Sequence, residues 1–197
     1  MRKLGLGLIL GLFACVSGSA LAQKNVNIRG TVTAFDGKMI SVNSREGGQV
    51  QVELPDNVNV AGTKALTLAD VKPGMPLGVT TIKRADGEIV AIDVRPIPPT
   101  APQGLSPWDL QPGSTMTNAV LEGHVQSAGG AELTLNYKTG IVKVLVPPGT
   151  PMSATIPGNR SDIKPGETVS IATRAGADGK FTATRIQVST GGVKPTW

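Results

Sequence analysis

Residues 69–74 read Ala-Asp-Val-Lys-Pro-Gly, and residues 161–166 read Ser-Asp-Ile-Lys-Pro-Gly, 92 positions later. Two further pairs of segments match at nearly the same spacing: Ala-Asp-Gly at 85–87 and 177–179 with a shift of 92, and Arg-Gly-Thr-Val at 29–32 with Glu-Gly-His-Val at 122–125 with a shift of 93. Separated matches at one spacing indicate an internal duplication. The sequence therefore predicts two copies of one small unit.

Both copies alternate apolar and polar residues with the period of a half-buried strand. The predicted inward residues of the first copy are Val26, Ile28, Gly30, Val32, Ile40, Val42, Val50, Val52, Leu54, Leu77 and Val79. Those of the second copy are Leu121, Gly123, Val125, Leu133, Leu135, Val142, Val144, Val146, Val169, Ile171, Ile186 and Val188. Glycine-containing turns separate the strands, as at Asp36-Gly37, Gly47-Gly48, Asp86-Gly87, Gly129-Gly130 and Asp178-Gly179.

The order of these elements predicts an all-β protein made of two tandem five-stranded, OB-like barrels. Each copy has three strands, a short helical turn (residues 66–71 in the first copy) and two more strands, which is the plan of a small Greek-key barrel. An SH3-like barrel and a simple meander remain alternatives at this point.

The chain also resembles exported bacterial proteins of unknown function that are built from tandem OB-like barrel repeats. The resemblance covers about residues 24–95 and 119–189. It depends on a Gly-x-Val first strand, a Lys-Pro-Gly turn, and an Asp-Gly turn before a final strand with an early alanine, Ala91 or Ala183. It implies a fold and an exported location, and it implies no activity.

The N-terminal segment predicts export. Arg2 and Lys3 precede an apolar stretch, and Ala20-Leu21-Ala22 matches a signal-peptidase site with cleavage before Gln23. The apolar stretch is short for a membrane span, which needs about 20 residues. An alternative is a lipoprotein, because residues 12–15 resemble a lipobox ending at Cys15. The preferred expectation is a soluble periplasmic or secreted protein with no transmembrane segment in the mature chain.

Five regions follow from these patterns. They are a signal peptide at 1–22, the first repeat at 23–95, a proline-rich linker at 96–118, the second repeat at 119–189 and a flexible tail at 190–197. Cys15 is the chain's one cysteine, so a mature chain that begins at Gln23 has neither disulfide nor thiol chemistry. The proline density of the linker predicts a semi-rigid spacer.

The linker carries apolar residues that a solvated spacer does not need, namely Leu105, Trp108 and Leu110. The second repeat has Ile141 and Leu145 at outward positions where the first has Gln49 and Glu53. We therefore expect the linker to dock on that apolar face. The alternative is an exposed Trp108 that serves an external partner.

Few residues point to chemistry. The chain lacks the common catalytic and nucleotide-binding motifs, and its one histidine, His124, is expected on an outward face. The carboxylates of Asp36, Asp86 and Asp178 each precede a turn glycine, where turn geometry explains them. The formal net charge of +5 comes from scattered residues, which does not favour nucleic-acid binding.

The sequence therefore predicts a non-catalytic binding or structural module without a cofactor, whose partner could be another envelope protein. The alternative is a periplasmic copper-type carrier, because thioether sulfur suits Cu(I). Its candidate ligands are Met39, Met75, Met116, Met152 and His124. An enzyme is the third hypothesis.

Overall fold

A computed structural model describes residues 24–195, and their regular secondary structure is almost entirely β-strand. The predicted signal peptide, Cys15 and the cleavage site before Gln23 lie outside the described residues, as do residues 196 and 197. Within residues 24–195, no helix is long and apolar enough to cross a membrane.

The described chain contains thirteen strands. The first repeat contributes β1 (Lys24–Phe35), β2 (Met39–Ser44), β3 (Gln49–Glu53), β4 (Asn59–Ala65), β5 (Pro76–Lys83) and β6 (Ile89–Pro96). A short strand, β7 (Gly104–Pro107), follows. The second repeat contributes β8 (Thr115–Ser127), β9 (Gly130–Asn136), β10 (Ile141–Val146), β11 (Ser153–Pro157), β12 (Thr168–Ala175) and β13 (Phe181–Val188). Single 3-10 turns lie at Leu68–Asp70 and Arg160–Asp162.

These strands form two closed barrels. The first barrel has the ring order β1, β2, β3, β13, β12, and the second has β8, β9, β10, β6, β5. The contacts of β3 with β13 and of β10 with β6 are parallel, and the other contacts within each ring are antiparallel. The predicted all-β chain with two five-stranded barrels is confirmed.

The repeats exchange strands to build these barrels. The first barrel takes β1–β3 from the first repeat and β12–β13 from the second, and the second barrel takes β8–β10 and β5–β6. The ranges 23–95 and 119–189 are therefore not separate barrels, which corrects the tandem arrangement. The physical reason is that the repeats share one pattern, so the last two strands of either repeat fit beside the first three of either.

The exchange is held by the strands that cross between the barrels. β4 and β11 pair with each other in antiparallel fashion, from Ser153↔Ala65 to Pro157↔Ala61. β4 also pairs in parallel with β13. The sequence pattern does not predict these two strands, which lie in stretches that alternate poorly.

Each barrel has its own apolar core. The first contains Ile28, Val32, Ile40, Val42, Val52, Leu54, Ile163, Val169, Ile171, Ala183, Ile186 and Val188. The second contains Val71, Leu77, Val79, Ala91, Val94, Ala119, Leu121, Leu133, Leu135, Val144 and Val146. Most predicted inward residues are thus buried. Val125 is an exception at 61 % exposure, because a bulge between Leu121 and Gly123 shifts the register and places Val125 opposite Glu132.

The strand pairing also shows that one sequence match is not structural. Thr31 pairs with Thr168, and Val120 pairs with Pro76, the residue that corresponds to Thr168 at the shift of 92. Thr31 therefore corresponds to Val120 and not to His124. The match between 29–32 and 122–125 is displaced by four residues from the structural equivalence.

The repeated motif at 69–74 forms a closing turn for a barrel. Asp70 accepts hydrogen bonds from the Thr67 amide and hydroxyl, both at 2.8 Å, and Asp162 accepts one from the Asn159 amide at 2.7 Å. These bonds hold single 3-10 turns. Each turn is followed by a buried residue, Val71 or Ile163. The motif therefore contributes an apolar side chain to the core of a barrel.

The region 96–118 is more ordered than a spacer. β7 pairs with β8 from Gly104↔Asn118 to Pro107↔Thr115, and β8 itself begins at Thr115. The predicted tail also begins with an ordered segment, because the Thr63 hydroxyl donates to the Val193 carbonyl. Both segments therefore belong to the folded body.

Candidate functional site

A seam runs along the first barrel where β3 and β13 meet. β3 pairs with β2 over its whole length, from Met39↔Glu53 to Asn43↔Gln49. With β13 it pairs only at Val52 and Glu53. Before Val52 a groove lies between the two strands, and we call it the seam groove.

The seam groove has a volume of about 570 Å³. It is lined by Met39, Gln49, Val50, Gln51 and Glu53 of β2 and β3, and by Gly179, Lys180 and Phe181 at the β12–β13 turn. Val50 and Phe181 are half-buried and pack against the core, whereas Gln49, Gln51 and Lys180 are exposed. The groove thus has an apolar floor and a polar rim.

The β2–β3 ladder determines where the main chain of β3 points. The Ser44 amide donates to the Gly48 carbonyl at 2.9 Å, and the Leu54 amide donates to the carbonyl of Lys38, the residue before β2, at 2.7 Å. Since main-chain groups alternate in direction along an antiparallel pair, the even-numbered residues of β3 bond to β2. Gln49 and Gln51 therefore direct their N–H and C=O groups toward the seam.

The groove continues toward the end of the barrel. Val50 and Phe181 also line a second hollow of about 340 Å³, which extends to Arg29 and Asp109. The two hollows share these residues, so they form one elongated surface. Such a surface fits an extended ligand better than a compact one.

A loop between β7 and β8 docks on the first barrel at the far end of this surface. Asp109 forms an ion pair with Arg29 at 2.7 Å and accepts a hydrogen bond from Asn27 at 2.9 Å. Arg45 donates to the Leu110 carbonyl at 2.8 Å. We call residues 108–114 the docking loop.

The protonation of Asp109 reflects these contacts. Partial burial tends to raise the pKa of Asp109, but the hydrogen bonds from Arg29 and Asn27 outweigh burial and place this pKa below its ordinary value. The carboxylate is therefore ionised at neutral pH and keeps the docking loop on the barrel.

Trp108 lies over the guanidinium of Arg95, whose Cζ is 6.0 Å from the ring centroid. Arg95 is 8 % exposed and forms an ion pair with Asp93, which is fully buried and also accepts a hydrogen bond from Thr80. The pKa of Arg95 lies below its ordinary value, chiefly because of burial. The charges of Arg185 and Arg29 also lower this pKa, and the charge of Asp93 raises it.

The predicted docking on Ile141 and Leu145 is corrected by this arrangement. Ile141 is 58 % exposed, and Leu145 lies beside the turn at Gly129. Leu105 remains 46 % exposed on β7, the Leu110 carbonyl is bonded to Arg45 of the first barrel, and Trp108 lies over Arg95 of β6. The physical reason is the ion pair of Asp109 with Arg29, which directs the loop to a charged surface.

The predicted metal ligands occupy separate positions. Met39 lines the seam groove, Met116 is buried beside Arg95, and His124 is exposed on β8 opposite Leu133. Met75 accepts a hydrogen bond from the Lys72 amide through its sulfur, and Met152 pairs with Val94. Residues 24–195 contain no group of three or more His, Cys, Asp or Glu side chains that could hold a metal.

The turn carboxylates have structural partners. Asp36 accepts hydrogen bonds from the amides of Lys38 and Met39 at 2.8 and 2.7 Å, and these bonds lower its pKa. Asp86 and Asp178 accept bonds from the amides of Glu88 and Lys180. The structure thus assigns these acids to turns, as their sequence context predicts.

Sequence reasoning misses the seam and the buried pair of Asp93 and Arg95. The seam depends on how far β13 accompanies β3, and these strands lie in different repeats. The buried pair has a local signal, because Asp93 interrupts the apolar run of β6.

Comparison with known proteins finds no matching family model, no matching curated protein and no matching solved structure.

Proposed function

We propose that this chain is an exported, non-catalytic binding module of two OB-type barrels, and that it binds an extended polypeptide segment in the seam groove. The observation that carries the proposal is the one-sided pairing of β3 at Gln49 and Gln51, above an apolar floor.

The ring order supports an OB-type assignment for the barrels. If the strands of a barrel are numbered 1 to 5 as they follow one another in the repeat pattern, their order around the barrel is 1-2-3-5-4. Strands 3 and 5 are in parallel contact. A 3-10 turn closes each barrel before the fourth strand. This agrees with the five-stranded Greek-key plan of an OB-fold.

A polypeptide fits the seam because its main chain complements the edge of β3. Strand addition to an exposed sheet edge derives affinity from main-chain hydrogen bonds and specificity from pockets for alternate side chains. Gln49 and Gln51 supply the main-chain groups, and the floor at Val50 and Phe181 supplies an apolar pocket. Neighbouring Glu53 and Lys180 offer one charge of each sign at the rim.

A non-catalytic role is supported by the partners of the acidic residues. Asp36, Asp86 and Asp178 stabilise turns, and Asp93 and Asp109 form ion pairs with arginine. Each of these five carboxylates thus has a structural partner. The exported location rests on the predicted signal at 1–22 and on the resemblance to exported tandem-barrel proteins.

The test uses peptides selected from a displayed heptapeptide library against the mature protein. Gln49→Pro removes one seam-facing N–H and no N–H that bonds to β2, and proline is tolerated at the first residue of a strand. We expect selected peptides to bind Gln49→Pro at least tenfold more weakly than wild type.

The matched control is Gln49→Ala, which keeps the N–H and, like Gln49→Pro, loses the side-chain hydrogen bond to Thr33. We expect this variant to bind peptides like wild type. Equal binding by all three proteins, or binding that leaves the amide signals of β3 unchanged in nuclear magnetic resonance spectra, contradicts the proposal.

A further inference from the structure

A hollow lies at the end of the second barrel that the repeated 3-10 turn closes. It has a volume of about 320 Å³. Leu68, the first residue of that turn, and Met152 line the hollow and pack against the second core. Its other walls include Leu66, Ala131 and the turn 147–150. We call it the leucine hollow.

An arginine side chain fills the equivalent place in the first barrel. Arg160 begins the 3-10 turn of the second repeat, as Leu68 begins that of the first. The guanidinium of Arg160 donates hydrogen bonds to the carbonyls of Leu54 at 3.1 Å, Pro55 at 2.8 Å and Gly37 at 2.5 Å. This side chain therefore plugs the end of the first barrel.

The repeat spacing shows that the leucine hollow is the same place in the second barrel. Val146 and Pro147 lie 92 positions after Leu54 and Pro55, and both line the hollow. The turn after each proline is also the same, because the amide three residues later donates to the proline carbonyl, at 3.1 Å in the first barrel and 3.2 Å in the second. Leucine is shorter than arginine, so Leu68 fills less of this place than Arg160 fills in the first barrel.

Two of the three carbonyls that bind arginine in the first barrel have hydroxyl partners in the second. The Pro147 carbonyl accepts hydrogen bonds from the Thr150 amide at 3.2 Å and from the Thr150 hydroxyl at 2.8 Å. Gly130, which has the register position of Gly37, accepts one from the Ser127 hydroxyl at 3.2 Å. A carbonyl oxygen has two lone pairs, so the Pro147 carbonyl has no acceptor site left for a cation.

The described lining of the leucine hollow contains no charged side chain. Moving a charge into an apolar place costs free energy unless the charge is paired, so the lining favours an uncharged ligand. The Thr150 hydroxyl donates to Pro147, and its oxygen can still accept a hydrogen bond. The volume admits on the order of ten non-hydrogen atoms, since one water occupies about 30 Å³. We propose that the leucine hollow binds a small uncharged molecule that has an apolar body and donates a hydrogen bond to Thr150.

The walls of the hollow favour a free small molecule over a polypeptide. Strand addition needs a sheet edge whose main-chain groups face the ligand. The described walls consist largely of turns, and the Leu66 amide donates to the Met152 carbonyl at 3.0 Å. They therefore do not offer the main-chain ladder that the seam groove offers.

The probe is p-cresol, a small aromatic alcohol that is uncharged at pH 7. We expect p-cresol to cause saturable shifts of the backbone amide signals of Leu68, Gly130 and Thr150 when it is titrated into the mature protein and followed by nuclear magnetic resonance. Two further probes carry a charge on a similar ring, since p-toluate is an anion and benzamidine is a planar cation. We expect both to bind at least tenfold more weakly than p-cresol.

A variant that copies the plug of the first barrel tests the location of the site. Leu68→Arg combined with Thr150→Val gives the second barrel the residue types that the first has at Arg160 and Val58. We expect this double variant to fold like wild type by circular dichroism and to bind p-cresol at least tenfold more weakly. The matched control is Leu105→Arg, which adds the same side chain at an exposed position on β7, and we expect it to bind p-cresol like wild type.

The proposal is overturned if p-cresol shifts none of the three amide signals, if either charged probe binds as tightly as p-cresol, or if the folded double variant binds like wild type. It is also overturned if Leu105→Arg weakens binding as much as the double variant, or if the peptide Gly-Gly-Tyr-Gly-Gly binds more tightly than p-cresol, which would assign the hollow to a polypeptide. If the double variant does not fold, the amide shifts of the wild-type protein decide. Because Gln49 belongs to the first barrel, Gln49→Pro is expected to bind p-cresol normally even if peptide binding in the seam groove fails.

Discussion

Gly30 and Gly123 match in sequence but have different surroundings in the fold. A Cβ added to Gly30 would lie 2.1 Å from the Asn43 carbonyl oxygen, whereas a Cβ on Gly123 would meet nothing within 4 Å. Strand pairing explains the difference, because Ala119, which pairs with Leu77 as Gly30 pairs with Val169, is the structural counterpart of Gly30, and Gly123 is not. The same residue type at matching sequence positions of the two repeats therefore does not imply the same steric constraint.

Gly30→Ala is expected to destabilise the protein by about 1–3 kcal/mol, because the close approach of β1 and β2 leaves no room for a methyl group. Gly123→Ala is the matched control, and we expect its free energy of unfolding to lie within about 0.5 kcal/mol of wild type. Urea unfolding followed by circular dichroism measures both values. Equal losses in the two variants would show that the close approach at Gly30 is not present.

At the scale of elements, the alternating strands and glycine turns are predictable from sequence, and the docking loop is not. Val42 and Leu133 reveal their burial by local alternation, which depends only on strand period. The docking of residues 108–114 depends on the contact between Asp109 and Arg29, which are 80 positions apart in the sequence. Nothing near Asp109 in sequence indicates that partner.

The docking loop is expected to release from the first barrel at low pH. The pKa of Asp109 lies below its ordinary value, so the carboxylate stabilises the docked loop above that ordinary value, and this stabilisation is lost as pH falls through the lowered pKa. Trp108 fluorescence reports the change once Trp197 is replaced by Phe. We expect the emission to shift to the red as the pH falls below about 4.

The matched variant for this prediction is Asp109→Asn, which cannot ionise. We expect its Trp108 emission to be shifted to the red already at neutral pH and to stay constant down to pH 3. If the variant shows the same acid transition as the wild-type loop, a group other than Asp109 controls docking.

At the scale of the whole molecule, the number of barrels is predictable and the partition of strands is not. β5 and β12 have the same sequence pattern, so the local sequence does not indicate which of the two strands pairs with β1. The structure pairs β1 with β12 over eight residues, from Lys24↔Ala175 to Thr31↔Thr168. Gln49, Gln51 and Glu53 are recognisable as outward polar residues, but the residues that face them across the seam belong to the β12–β13 turn of the other repeat, which no local pattern indicates.

The exchange also explains why the proposed seam groove needs both repeats. The groove combines β3 of the first repeat with the β12–β13 turn of the second. A protein with two independent barrels would not have this surface in this form.

Cysteine cross-linking tests the strand exchange most directly. Asn25 and Arg174 are opposite each other on β1 and β12, and neighbouring antiparallel strands bring Cα atoms within the range of a disulfide. In a tandem arrangement β5 would take the place of β12, so Ile82 would face Asn25 instead. In mature protein without Cys15, we expect Asn25→Cys with Arg174→Cys to form an intramolecular disulfide, detected by peptide mass spectrometry. Disulfide formation by Asn25→Cys with Ile82→Cys, and not by the first pair, would contradict the exchanged fold.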